Sequence, residues 1–231
     1  MMDPYEIVRA FERSALVYGD LSLFRHQKNT TVIDDAASEV QALIVKENNT
    51  LYITFRGSNS KKDWQTNLTF WQKTIPYGNT ASKIRVHTGF IQAYKSPGVR
   101  DKIHALMTSD VLYIQVAGHS HGAALSILCA VDLEYNFPRR DYRVFLFGCP
   151  RVGNRAFQKS YDRRVPQTVR VENGNDIITK IPFASWGFHH VGTLLHIGPP
   201  RLPLVYSCND HRLEPYDANL RSCFAFNKAL A

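Results

Sequence analysis

Apolar residues recur every four positions near the start of the chain. Ile7, Phe11 and Ala15 form the series, with Val8 and Leu16 beside them. That is a helical period, and Pro4 suits a first turn, so a helix is predicted over 4–18. Residues 20–37 are polar and irregular. The runs 39–45 and 50–55 read as two strands joined by the turn-rich Glu47-Asn48-Asn49. Over 59–73 the pattern turns helical again. Trp64, Leu68 and Trp71 fall on one stripe with Phe70 beside it, while Lys61, Lys62, Gln65, Thr66, Gln72 and Lys73 cover the other side. Ser60 and Asp63 have the spacing of a helix cap. Such a segment is either a surface helix packed into the core or a movable lid whose apolar face meets a lipid surface or acyl chain.

Further along, residues 74–82 read as a loop, 85–90 as a short strand and turn, and 91–94 and 99–108 as helices. A β-branched and aromatic run at 111–116 precedes an Ala- and Leu-rich run at 123–133 that has no Gly or Pro. The pattern predicts a strand over 111–117, a helix to about residue 135, a loop over 136–141 and a strand over 142–147. A turn follows at 148–154, then a helix over 155–164 and strands over 168–171 and 191–197. Residues 172–176 form the loop after the strand at 168–171. Residues 198–215 read as irregular, with a closing helix within 216–229. Strands that alternate with helices point to an α/β fold. Its central sheet is mainly parallel or mixed, with helices on both faces and the site at the C-terminal strand ends. No internal repeat or linker appears, so 1–231 reads as a single domain.

Composition narrows the class. The chain has 231 residues, 44% hydrophobic and 21% charged, enough for one sizeable core and too ordered for large-scale disorder. No apolar run reaches the roughly 18 residues of a membrane span. The first residues lack the basic start and apolar core of a signal peptide, so the expected location is the cytoplasm or that of a mature secreted form. The Asn-x-Ser/Thr sequons at Asn29, Asn48 and Asn67 carry no weight without a secretion signal. The net charge of +8 is scattered, with no block of five like charges. Such scatter reads first as ordinary solubility charge, with attraction to anionic lipid ahead of nucleic-acid binding. None of the four cysteines lies in a Cys-x-x-Cys pair, so no zinc or redox site is expected. Cys129 and Cys149 read as buried. For Cys208 and Cys223, a disulfide is left open by the spacing.

The chemistry centres on Gly118-His119-Ser120-His121-Gly122, which lies between the predicted strand and helix. Gly-x-Ser-x-Gly in that context is a nucleophile elbow, with Ser120 at the tip of a tight turn. A Cβ at Gly118 or Gly122 would meet the neighbouring helix or strand. A serine hydroxyl needs a base, an acid to orient the base, and donors for the oxyanion. Among downstream carboxylates Asp176 fits best, because it follows a strand end and a Gly174-Asn175 turn. Asp132, Glu134 and Asp162 sit within helices and Asp141 in a loop. The downstream histidines are His189, His190, His196 and His211. His196 lies in a predicted strand, and His189 and His190 follow close behind Asp176. His211 lies in the irregular stretch Cys208-Asn209-Asp210-His211-Arg212, which suits a base carried by a loop folding back over the sheet.

Five motifs carry a resemblance. They are Phe55-Arg56-Gly57-Ser58 with Asp63-Trp64, Val86-His87-Thr88-Gly89-Phe90, the elbow, Phe147-Gly148-Cys149-Pro150-Arg151-Val152-Gly153-Asn154, and Asn173-Gly174-Asn175-Asp176-Ile177-Ile178. In order and spacing, from about residue 39 to 211, the chain resembles the class 3 lipases, the fungal triacylglycerol lipase type. The resemblance implies an α/β-hydrolase fold with Ser120, Asp176 and His211 as a catalytic triad. It implies an oxyanion hole from the backbone N–H and hydroxyl of Ser58 and the backbone N–H of His121. It makes 59–73 the lid, with Trp64, Leu68 and Trp71 as substrate contacts. It also favours His211 over His190 as base, since Phe188-His189-His190-Val191-Gly192 matches a non-catalytic motif of the family. His119 and His87 read as structural hydrogen-bonding groups, and Asp63 as a local cap.

Two departures bear on substrate range. His121 stands where many relatives carry Leu, and the stretch from Asp176 to His211 is short, so a substrate-facing loop is trimmed. The expected activity is hydrolysis of carboxylic esters of acyl lipids, with triacylglycerol first. Phospholipase A1 or soluble-ester esterase activity is the alternative, and a non-catalytic lipid-binding protein the remote one. No metal or cofactor is expected. The expected partners are an acyl ester substrate and, through the lid, a transient lipid surface.

Overall fold

Asp3 caps the first helix through its carboxylate, which accepts from the Tyr5 N–H at 2.9 Å, and Pro4 occupies the first turn. Helix α1 (Pro4–Leu16) buries Ile7, Ala10, Phe11 and Ser14. It stops two residues short of the predicted end. The computed structural model describes residues 3–57, 71–76 and 79–229.

The following strands are β1 (Thr30–Asp35), β2 (Val40–Glu47) and β3 (Thr50–Phe55), then β4 (Gln72–Thr74) and β5 (Arg85–His87). Helices α2 (Thr88–Tyr94) and α3 (Arg100–Ala105) lead to β6 (Tyr113–His119) and α4 (His121–Asn136). Next come β7 (Asp141–Phe147), β8 (Gly153–Asn154), α5 (Arg155–Arg164) and β9 (Thr168–Asn173). The chain then forms β10 (Phe188–His189), β11 (Thr193–Ile197) and α6 (Leu213–Ala229). The main sheet runs β1-β2-β3-β6-β7-β9-β11. Its first two pairings are antiparallel, and those from β3 to β11 are parallel. A small sheet runs β10-β8-β5-β4.

The central strands are buried on both sides, as parallel strands covered by helices must be. Val116, Val144 and Leu146 face one core with α2, α4 and α5. Ala117, Phe145, Phe147 and Val171 face the other, with Phe11 of α1 and Tyr216 and Leu220 of α6. This is the α/β architecture expected from the alternating pattern, and the α/β-hydrolase fold that the resemblance implies.

Three expectations are corrected. Residues 30–35, predicted irregular, form the edge strand β1. An edge strand packs little of its length, and here only Ile33 is fully buried, so the polar sequence hid it. Strand β9 runs two residues past its predicted end, because Glu172 and Asn173 are buried with polar partners. The closing helix starts at Leu213 rather than 216. The helix expected over 59–73 lies almost wholly outside the described residues, and Gln72 and Lys73 belong to β4. All four cysteines are free thiols, Cys129 and Cys149 buried as expected, and Cys208 and Cys223 unjoined.

Candidate active site

The elbow sits where β6 meets α4. Ser120 has φ +62° and ψ −128°, a conformation side chains avoid, held by a bond from its N–H to the Phe147 carbonyl at 2.9 Å. Gly118 and Gly122 make the turn sterically feasible. A Cβ on Gly118 would meet the Gly122 carbonyl and the Ala123 nitrogen. One on Gly122 would strike the backbone of Phe55 and Arg56. Both collisions are with backbone, as the sequence argument required.

Asp176 lies in the loop after β9 and is buried. His211 comes from the segment before α6. Its Nδ1 lies 2.9 Å from Asp176 Oδ2 and its Nε2 lies 2.9 Å from Ser120 Oγ. A carboxylate only accepts, so Nδ1 carries the proton and Nε2 is left to accept from the serine hydroxyl. Asp176 accepts two further bonds: from the Tyr216 hydroxyl at 2.7 Å and from the Ile178 N–H at 2.9 Å. Burial, and then the adjacent carboxylate, holds the Tyr216 phenol well above its ordinary pKa.

Gly148 follows β7 at φ +56°. A Cβ there would lie 2.9 Å from His211 Cε1 and Nδ1 and 3.0 Å from Asp176 Oδ2. The imidazole and carboxylate fill the space that this glycine leaves.

His119 packs behind His211. Its ring stacks on His211 at 4.6 Å between centroids. Its Nε2 lies 2.9 Å from the His211 carbonyl, which can only accept, and its Nδ1 lies 2.9 Å from the Tyr18 hydroxyl. Burial first, then the neighbouring His211, push its pKa down to about 3, so the ring is neutral. His87 Nδ1 accepts from the Phe90 N–H at the start of α2, and burial pushes its pKa down to about 4.

The other histidines lie elsewhere. His190 Nε2 donates to the Thr179 carbonyl at 2.8 Å, and His196 Nε2 lies 3.2 Å from the Gly174 carbonyl. His189 pairs with Gly153 in the small sheet. His121 is the first residue of α4, where a backbone N–H has no acceptor within the helix. Its ring stands 5.4 Å from that of Phe90, and burial lowers its pKa to about 4. Trp71 is exposed, and its carbonyl accepts from the N–H and hydroxyl of Thr88, both at 2.9 Å. Ser58, Asp63, Trp64 and Leu68 lie outside the described residues. Sequence reasoning missed Tyr18, Tyr216 and the spatial role of Gly148. Among the described residues no group of three or more His, Cys, Asp or Glu could hold a metal ion.

A buried serine on a strand-to-helix turn, bonded to a histidine that is bonded to a carboxylate, is the arrangement that serine hydrolases carry on an α/β-hydrolase scaffold. The chain belongs to the class 3 lipases: residues 52–186 match the family described as Lipase (class 3).

Curated relatives span two substrate types. The chain is 34% identical over 147 residues to a chloroplastic phospholipase A(1) of Arabidopsis thaliana, covering 56% of this chain and 33% of that protein. It is 33% identical over 151 residues to a lipase of Rhizomucor miehei, covering 62% of this chain and 40% of that one. The chain thus spans well under half the length of these relatives. Among solved structures, the Rhizomucor miehei triacylglyceride lipase superposes with a TM-score of 0.71 at 26% identity, over 84% of this chain and 79% of that one. A triacylglycerol lipase whose catalytic centre is described as a serine protease triad superposes with a TM-score of 0.68 at 26% identity, over 84% and 79%.

Proposed function

We propose that the chain is a serine carboxylic ester hydrolase acting on acyl lipids, with triacylglycerol the first substrate class. The observation that carries this reading is the hydrogen-bonded line from Ser120 Oγ through His211 to Asp176, with 2.9 Å at each step. In the proposed mechanism Ser120 attacks the ester carbonyl while His211 Nε2 takes the hydroxyl proton. Asp176 holds the imidazole in the required tautomer and stabilises the imidazolium. The developing oxyanion is held by the N–H of His121, at the positive end of α4, and by Ser58. His211 then protonates the leaving alcohol, and water, activated by the same base, releases the acyl group. Each step uses side chains, backbone N–H groups and water.

Residues 1–231 act in this reading as one class 3 lipase-like domain, with 59–73 as a lid that touches substrate through Trp64, Leu68 and Trp71. A solved fungal lipase–inhibitor complex, described as a model for interfacial activation in lipases, superposes with a TM-score of 0.71 at 26% identity, over 84% of this chain and 80% of that one. A second reading is phospholipase A1. It is favoured by the Arabidopsis relative that carries that name.

The test is a rate series on p-nitrophenyl esters of rising chain length, alongside triacylglycerol and phospholipid emulsions, for wild type and Ser120→Ala. Loss of the nucleophile should lower kcat by roughly five to six orders of magnitude while the circular dichroism spectrum is unchanged. Wild-type turnover by Ser120→Ala would refute the assignment.

A further inference from the structure

The cations beside the acid loop outnumber their carboxylates. Glu172, buried at the end of β9, is paired with Arg170, with Arg201 and, at 3.4 Å, with Lys180. Arg151 joins the group by donating to the Lys180 carbonyl and, at 3.0 Å, to the Pro182 carbonyl. His190 stands 3.7 Å from Glu172 but is held neutral, its pKa far below the ordinary value through burial and then Arg170 and Arg151. Three cations thus contact one carboxylate, with Arg151 beside them. The crowding is visible in Lys180, whose pKa falls to about 8 through burial and then Arg201 and Arg151. A half-buried cluster with surplus positive charge is complementary to an anion.

Beside this cluster an apolar loop rises from the acid itself. Residues 202–207 are clamped at both ends on Asn175: the Leu202 N–H donates to Asn175 Oδ1 and the Ser207 N–H to the Asn175 carbonyl, both at 2.9 Å. Ser207 also bridges Asp176. Between the clamps Leu204 is 89% exposed, and Val205 and Tyr206 are exposed beside it. Leu204 sits at φ +62°, a backbone conformation that leucine avoids, so the tip is held outward against its own preference. Arg201 stands at the base of the loop. An apolar tip with cations at its base, next to the triad, has the make-up of a segment that enters the headgroup layer.

We propose that residues 201–207 form an anchor for anionic lipid surfaces, separate from the lid. Leu204, Val205 and Tyr206 enter the acyl boundary, and Arg201 and Lys180 engage lipid phosphates. The proposal rests on the lipid-hydrolase reading for its purpose, but its test does not depend on turnover. Co-sedimentation of the Ser120→Ala protein is measured with phosphatidylcholine vesicles and with vesicles that also contain phosphatidylglycerol. Binding should favour the anionic vesicles and weaken with added salt. Leu204→Ser in that background should weaken partitioning about tenfold. Arg201→Gln, which leaves Glu172 paired with Arg170 and Lys180, should weaken binding to anionic vesicles about fivefold.

Equal binding to both vesicle types, or unchanged partitioning of Leu204→Ser, overturns the anchor. So does complete release by inorganic phosphate at matched ionic strength, which would mark a soluble-anion site instead. If Arg201→Gln fails to fold, Leu204→Ser carries the test alone, since its exposed side chain adds nothing to the core. Ester turnover by wild type is measured separately. Its absence would remove the hydrolase reading and leave the vesicle result to stand by itself.

Discussion

Gly148→Ala probes how tightly the base is seated. Ordinary contacts to a Cβ fall at 3.4–4 Å, whereas a Cβ at this position would lie 2.9 Å from two atoms of the His211 ring and 3.0 Å from Asp176 Oδ2. The ring must therefore withdraw by about 0.5 Å (3.4 − 2.9). The stacked His119 behind it and the bonds at both of its nitrogens resist that shift. A displacement of about 1 Å in a catalytic group can lower the rate roughly a hundredfold, so a loss of about ten- to a hundredfold in kcat is expected. Alanine at φ +56° also strains the backbone, by about 1–2 kcal/mol. Gly187→Ala isolates that second effect. It sits at φ +81°, and its nearest neighbour would be Gln72 Nε2 at 3.8 Å. Thermal unfolding should place both variants about 1–2 kcal/mol below wild type, while kcat on a soluble ester at saturation falls only for Gly148→Ala. Equal kcat for the two variants would refute the argument that Gly148 makes room for the base.

Other predictions test the neighbours of that pair. His211→Ala should abolish hydrolysis of soluble esters, whereas His190→Ala should retain catalytic turnover; the reverse result would transfer the base to His190. Tyr216→Phe removes a bond to Asp176 and leaves the Asn173 N–H, 3.2 Å from that hydroxyl, without a partner, so chemical denaturation should register a loss of about 1–3 kcal/mol. With one donor fewer on the carboxylate, the acid limb of its kcat/KM profile should move, and an unmoved limb would mean that the phenol does not act on the triad. Stability should also fall in mild acid. His87 and His119 have folded pKa values of about 4 and about 3, below the roughly 6.5 of an unfolded chain. The unfolded chain therefore takes up protons first, and stability is complete above about pH 6.5 and lost as pH falls towards 4. Each group contributes a loss of about 2 kcal/mol by pH 5. A flat denaturation midpoint from pH 7 to 5 would contradict the buried, neutral state of these rings.

What was legible in the sequence was local. The elbow is five consecutive residues, and the reason for its glycines follows from the tightness of one turn. Asp176 followed a predicted strand, and His211 stood out because it lay in an irregular stretch able to fold back over the sheet. The parts that brace the site come from far away in the chain. Tyr18 lies 101 residues before the histidine whose ring it bonds, and Tyr216 bonds a carboxylate 40 residues earlier. Both look like ordinary aromatic positions on helical stripes, since burial of the ring and use of the hydroxyl leave the same pattern. Glu172 misled for a related reason. A glutamate marks a strand end unless cations come to meet it, and here they come from residues 170, 180 and 201.

The hydrogen bonds of His119 explain why one buried line serves three elements. Tyr18, just beyond α1, bonds the Gly57 backbone as well as His119. His119 ends β6 directly before the nucleophile, and its other nitrogen bonds the backbone of the base. The loop after β3, the elbow and the His211 segment are thus referred to one another through a tyrosine and an imidazole, independently of the triad's own bonds. This works only while the His119 ring is neutral. A neutral ring offers one donor and one acceptor, matching a carbonyl on one side and a phenol on the other. A charged one would lose the acceptor and set a second positive charge against the imidazolium that the proposed mechanism forms on His211. In the proposed mechanism, the burial that lowers the His119 pKa to about 3 would keep the transition-state charge on the His211 ring alone.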